Sequence, residues 1–305
     1  MEAFRDAGLD PYEQRLPGCG GANVLAKIRG DSKRYVLVGA HFDHLGVIGR
    51  DVFWGADDNA AAVAVLVEVG RAIANEREGR GVIIAAFDAE EPPHYLTGAM
   101  GSREFVRANR DPIDFMVCMD LVGHRLGPAE VPDEVGASLF ALGAERSTGT
   151  TELLSSLRRA EPGVVVRAAD AEIVPPLSDY EAFWQHRIPF LFLSAGRSRI
   201  YHTPEDTPDK LDYAKIAATA RWLTRFVRVT RTREPTELTN ARYDVATLDE
   251  LRELLVALAP LSPDAELGLH HVAQLRASCD RDGNLPVRQR DALAQLVGMI
   301  EAGLQ

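Results

Sequence analysis

Four uninterrupted apolar runs, at residues 35–40, 81–87, 115–119 and 188–194, constrain the fold of this chain more than any other feature. A strand with one wet face alternates polar and apolar residues, whereas an unbroken apolar run reads as a strand covered on both faces. Helical stretches separate the runs, at 63–74, 102–108, 150–159 and 178–185, with an amphipathic helix at 213–229 after the last. This alternation predicts an α/β fold, a three-layer sandwich around a mainly parallel, mixed central sheet. In such sheets the ligand crevice lies beyond the carboxyl ends of the strands. The four runs end at or lead into His41, Glu90-Glu91, Asp120 and Tyr201-His202. The fold class thus gathers imidazoles and carboxylates at one end of the sheet.

The remaining segments carry weaker signals. Residues 23–29 and 35–40 read as a hairpin across the turn residues 30–33, and 1–20 as a lead-in with little pattern. A Pro-marked break at 233–236 divides a catalytic domain, 1–234, from a helical C-terminal extension, 235–305, with helices at 248–258, 265–277 and 287–303. Leu251, Leu254, Leu255 and Leu258 recur at helical spacing and need a partner surface, so the extension is expected to pack on the domain or join copies of the chain as a homo-oligomer. Residues 278–289 resemble part of a calcium loop, but the first place lacks its acid and the twelfth is Gln289 instead of a bidentate Glu. A connection between helices is the better reading.

Composition narrows the function. The net charge of −11 disfavours nucleic acid and anionic membranes, which call for a basic face. Three widely spaced cysteines, Cys19, Cys118 and Cys279, offer neither a disulfide framework nor a thiolate zinc site. No apolar run reaches membrane-spanning length, and residues 1–20 lack a signal-peptide profile, which favours a cytoplasmic location.

The stretch Gly55-Ala56-Asp57-Asp58-Asn59 precedes the apolar helix at 63–74. Alone, it would be a doubled N-cap, since a helix start favours anions. Together with His41, Glu90, Glu91, Asp120 and His202 it makes a set of imidazoles and carboxylates suited to Zn²⁺ or a similar divalent ion. Two ions about 3.5–4 Å apart activate a shared water and polarise a carbonyl, and Asp57 at the helix start is placed to bridge them. The carboxylates of Asp57, Glu91 and Asp120 offset three of the four charges of such a pair. Glu90 and Glu91, as chain neighbours, point in opposite directions, so one is expected to bind metal and the other to serve as general base. Asp43, two residues past His41, returns to the same face and is expected to accept the second imidazole N–H.

These motifs also resemble a known family. His41-Phe42-Asp43-His44-Leu45-Gly46, Gly55-Ala56-Asp57-Asp58-Asn59-Ala60, Glu90-Glu91, Met119-Asp120 and Tyr201-His202-Thr203-Pro204-Glu205-Asp206-Thr207 are similar, in order, to those of the M28 di-zinc aminopeptidases, over about residues 20–230. The resemblance implies that His41 and Asp120 hold one zinc, Glu91 and His202 the other, and Asp57 bridges. It implies Glu90 as general base, Tyr201 as a stabiliser of the oxyanion, and a cis peptide between Asp57 and Asp58. Tyr180 stands where many members have histidine. The residues 92–97 inserted after the paired glutamates would lie on the cleft rim and shape substrate choice.

The expected activity is hydrolysis of peptides at free N-termini. A carboxypeptidase of the same family, a single-zinc glutaminyl cyclase and a metal-free binding module are the alternatives. A carboxypeptidase would want a basic anchor for the substrate carboxylate, and Arg50, Arg125, Arg197 and Arg199 are the only basic residues expected near the cleft rim, none directly after a ligand. An acidic cleft instead favours a cationic N-terminus.

Overall fold

The computed structural model describes residues 1–176 and 178–305. Among them, eight strands form one sheet: β1 (Pro11–Arg15), β2 (Ala22–Ile28), β3 (Tyr35–His41), β6 (Gly81–Phe87), β7 (Ile113–Met119), β8 (Ser138–Leu142), β9 (Val165–Ala169) and β10 (Phe190–Ser194), while β4 (Gly46–Ile48) and β5 (Asp51–Phe53) pair separately. The order is β1-β2-β6-β3-β7-β10-β8-β9. The centre, β6-β3-β7-β10, is parallel throughout. The β1–β2, β2–β6 and β10–β8 pairs are antiparallel, which makes the sheet mixed. The expected sandwich is therefore observed, and its parallel centre is built from the four unbroken apolar runs.

Among the described residues ten α-helices accompany the sheet: α1 (Glu2–Asp6), α2 (Ala61–Ile73), α3 (Gly101–Ala108), α4 (Asp133–Gly136), α5 (Thr150–Leu157), α6 (Tyr180–Gln185), α7 (Tyr213–Thr232), α8 (Asp244–Leu258), α9 (Pro263–Ala277) and α10 (Val287–Leu304). Alternate side chains of each strand point to opposite faces. Val36, Val38 and Ala40 thus pack with Val65 and Leu66 of α2 and Trp222 and Phe226 of α7. Leu37, Ile83, Ala85 and Phe87 join Phe105 of α3, Phe183 of α6 and leucines of α8 and α10 on the other face. Leu251, Leu254, Leu255 and Leu258 are all buried in this second cluster, so the leucine stripe of α8 finds its partner surface within the chain.

The hairpin expected between residues 23–29 and 35–40 is not formed. β6 lies between β2 and β3, pairing antiparallel with the first and parallel with the second. Turn residues at 30–33 specify a reversal but not the neighbour, and the buried strand β6 supplies a more apolar partner to both. The lead-in residues contribute α1 and the edge strand β1, and residues 43–55 contain the β4–β5 pair.

Candidate metal centre

Parallel pairing of β6, β3 and β7 brings His41, Glu90-Glu91 and Asp120 together at one sheet end, because each follows or closes its strand. The chain turns sharply just before Glu90, just after Asp120 and at His202. Ala89 (φ 60°), Leu121 (φ 55°) and His202 itself (φ 55°) occupy the left-handed region, where residues other than glycine are uncommon and strain collects at functional sites. Gly55 (φ 62°) opens the turn that carries the two aspartates; a Cβ there would meet the carbonyl oxygen of Asp58 at 2.4 Å. In that turn Asp58 (φ −112°, ψ 79°) and Asn59 (φ −140°, ψ 31°) depart from helical geometry. The carboxylate of Asp206 holds it, accepting from the backbone N–H of Asp57 at 2.8 Å and of Asp58 at 3.1 Å. Asn59 ties it to β7 by donating to the carbonyl of Met119 at 2.9 Å.

Asp58, not Asp57, stands at the centre of the cluster. Its Oδ1 lies 3.4 Å from His41 Nε2 and its Oδ2 lies 3.0 Å from His202 Nε2. Asp120 Oδ1 approaches His41 Nε2 at 3.5 Å, and Glu91 Oε1 approaches His202 Nε2 at 3.4 Å. Two donor groups result, His41–Asp58–Asp120 and Asp58–Glu91–His202, with donor atoms in each lying within 4.8 Å of one another. They share Asp58, one oxygen facing each. The expectation that Asp57 bridges is corrected: its carboxylate turns away, accepting from Gly123 N–H at 2.7 Å and lying 2.6 Å from His124 Nδ1. The turn between the two aspartates, which helix periodicity alone does not specify, reverses their directions. The cis peptide lies between Asp58 and Asn59, not between Asp57 and Asp58.

Behind the centre, Lys215 Nζ donates to the carbonyls of His124 and Gly136 at 2.8 and 3.3 Å. Burial pushes its pKa down to about 8 despite the nearby Asp57 and Asp212. Neither His124 nor Lys215 stood out in the sequence as part of this support, and the only available signal was their chain proximity to Asp120 and the amphipathic helix. Asp206 did lie in a noted motif, but its backbone-holding role belongs to the turn geometry.

Asp43 lies beside His41 as expected, its Oδ1 3.6 Å from His41 Nδ1, and takes on a further task. His41 Nδ1 also meets the Asp43 backbone carbonyl, at 3.1 Å. The Asp43 carboxylate accepts from the N–H of Glu90 at 3.1 Å and of Glu91 at 3.0 Å, and so fixes the orientation of both glutamates. Glu90 Oε2 lies 4.0 Å from His41 Nε2 and belongs to neither donor group. Burial pushes the Glu90 pKa well up, and Asp120, Asp179 and Glu91 add to this against the opposing His41. Burial would raise Asp58, but hydrogen bonding to His202 and His41 outweighs it and brings the group down to about 2. His202 is raised to about 9 by Asp58 and Glu91. The Tyr201 ring stacks on His202 with centroids 3.8 Å apart.

The donor set fits divalent metal. His41 Nε2 and Asp120 Oδ1 are buried and, among the described residues, have no hydrogen-bond partner. Buried polar atoms are rarely left so, and here both face the shared carboxylate. Nitrogen and carboxylate oxygen donors without thiolates suit zinc. Replacing Asp206 with Ala would strip two backbone N–H groups of their acceptor and loosen the Asp58 turn. The expected outcome is a 10–100-fold loss of zinc affinity with the fold retained, the usual cost of removing an outer support. Competition against a chromophoric chelator, alongside a melting curve, checks it.

A cavity of about 570 Å³ lies beside the cluster, with Asp58, Glu90, Glu91, Asp120 and His202 at one end. Pro92 and Tyr95 of the inserted loop also line it, as expected for a rim segment. Tyr180 packs against Phe190 and Phe192 at centroid distances of 5.0 and 4.6 Å.

Residues 23–227 match peptidase family M28. YfbL of Escherichia coli (strain K12) is 26% identical over 239 residues, covering 71% of this chain and 74% of YfbL. LapB from Legionella pneumophila superposes with a TM-score of 0.62 at 19% identity, over 76% of this chain and 63% of LapB, so the chain spans under two thirds of that protein. Glutaminyl cyclase from Tannerella forsythia superposes with a TM-score of 0.57 at 20% identity, over 74% of this chain and 86% of the cyclase. At these identities the structural likeness carries the fold alone.

Proposed function

The chain belongs to peptidase family M28, and from that premise we propose that it is a di-zinc exopeptidase acting on free N-termini. The observation that carries this reading is the pair of donor groups sharing Asp58, set beside a buried Glu90 that belongs to neither. His41 and Asp120 would hold one zinc, Glu91 and His202 the other, with one Asp58 oxygen toward each. Zinc bound there supplies Lewis acidity toward water and the scissile carbonyl.

The chain's own groups do the rest. Glu90, held by Asp43 through its backbone, takes a proton from the attacking water and passes it to the departing amine nitrogen. Tyr201, which stacks on His202 and lines the cavity, would donate toward the carbonyl oxygen as negative charge grows there. The acidic end of the cavity attracts a substrate ammonium group. Arg197 is the only arginine or lysine among the described residues lining the cavity, and it is already engaged. Its backbone N–H and its guanidinium meet the Glu301 carboxylate at 2.8 and 2.6 Å. A free substrate carboxylate therefore meets no unengaged arginine or lysine among the described residues of the cavity, which supports attack from the amino end.

A matched set of peptides tests the direction. Unblocked peptides should be cleaved, N-acetylated ones should lose nearly all turnover, and amidated ones should keep it. Turnover that survives acetylation and disappears on amidation would identify a carboxypeptidase. Cyclisation of an N-terminal glutamine without hydrolysis of other peptides would identify a glutaminyl cyclase.

A further inference from the structure

The segment that joins His41 to the Asp58 turn has no task in the mechanism so far. Its two strands, β4 and β5, pair with each other and with no other strand among the described residues. A lone two-stranded ribbon has little stability of its own and leaves its faces open. Phe42, Val47, Ile48, Val52 and Trp54 are all exposed along it. Apolar surface gathered beside a site marks a place where something binds.

One face of the ribbon meets the metal centre. A small crevice there shares Asp58, Glu91 and His202 with the large cavity, but its other walls, Leu45 and Phe53 among them, line no part of that cavity. At about 10 Å³ it has room for about one water, so a larger group must rest on its rim. Antiparallel register sets Phe53 across from Gly46 and Ile48 across from Asp51 on the same face, with Val47 and Val52 paired on the opposite one. Gly46 brings no side chain opposite the Phe53 ring. Apart from its chain neighbours, a Cβ there would meet nothing nearer than the His44 carbonyl oxygen, at 3.9 Å. An apolar notch therefore stands open over Gly46, between Phe53 and the half-exposed Ile48.

We propose that this notch receives the side chain of the substrate's second residue, the one released as the new N-terminus, and that it favours apolar side chains at that position. The proposal rests on the aminopeptidase reading above. In that reading the first residue enters the large cavity, which β8 and α10 wall with Phe140, Ile300 and Leu304. The rest of the peptide must then leave by another route, and the small crevice opens one past Glu91 and His202. Phe53 and Ile48 are the apolar surface that the second residue meets on that route. Each further methylene of a substrate side chain buried against such a surface favours it by roughly tenfold or more.

The test holds the first residue fixed and varies the second, with alanyl-leucinamide, alanyl-glycinamide and alaninamide on the zinc-loaded full chain. Wild type should favour alanyl-leucinamide over alanyl-glycinamide by at least about tenfold in kcat/KM. Phe53→Ser and Ile48→Ser should each cut that preference to within about threefold, leave alaninamide turnover unchanged and keep the zinc content by elemental analysis. Val47→Ser, on the opposite face, should keep the full wild-type preference. Should Phe53→Ser not fold or lose zinc, the half-exposed Ile48→Ser decides alone. No preference in wild type overturns the notch while leaving the peptidase reading intact, as does an equal fall for all three substrates in Ile48→Ser or loss of the preference in Val47→Ser. If wild type cleaves no peptide, the peptidase reading fails and calorimetry decides the notch separately. N-acetyl-leucinamide, which has no free amine, should then bind wild type more tightly than N-acetyl-glycinamide does, and Ile48→Ser should abolish the difference; equal binding of the two to wild type overturns the notch.

Discussion

Glu90→Gln is expected to lower kcat by about 10²–10⁴-fold, the usual worth of a positioned proton-transfer group, with both zinc ions retained. The geometry separates the two glutamates. Glu91 Oε1 lies 3.4 Å from His202 Nε2 and shares a donor group with it, whereas Glu90 Oε2 stays 4.0 Å from His41 Nε2 and shares none. Gln keeps the shape and the backbone N–H that Asp43 holds, but it cannot accept the proton. Elemental analysis beside steady-state kinetics distinguishes the roles. If Glu90→Gln loses a metal while Glu91→Gln keeps both, the two residues are exchanged.

Asp58→Ala should have the larger effect on metal, because it removes the one member common to both donor groups. Loss of both ions and of measurable turnover is expected, well beyond the 10–100-fold in affinity that outer supports contribute. Asp57→Asn is the informative companion. Its carboxylate contacts Gly123 and His124 instead of the centre, so the variant should keep both ions and weaken binding by no more than an outer support does. A metal-free Asp57→Asn together with a loaded Asp58→Ala would restore the bridge to Asp57.

That pair of residues also marks where sequence stops being informative. The centre of the sheet was legible because β3, β6, β7 and β10 are unbroken apolar runs, and doubly covered strands have few other patterns. The convergence of His41, Glu90, Glu91, Asp120 and His202 followed from strand ends meeting at one edge. Which of two adjacent aspartates faces inward did not, because it depends on the backbone turn at Asp58 and Asn59 and on its capture by Asp206 from 148 residues away. Spacing put the Asp43 carboxylate beside His41, where it lies, but its hold on the backbone N–H groups of Glu90 and Glu91, 47 and 48 residues away, could not be read from it. Strand order was hidden as well, since the apolar run of β6 does not say that it inserts between β2 and β3. The leucines of α8 announced a buried face. That α10 would reach the cavity could not be read from its spacing, because nothing local ties Ile300 to Phe140.

The central claim is a two-metal centre built on Asp58, and the most direct measurement is the zinc content of the purified, fully active chain, by elemental analysis against protein concentration. The account predicts two ions per chain, activity lost as they are withdrawn by a chelator and recovered as both are returned. Full activity with a single ion per chain, or with none, would contradict it.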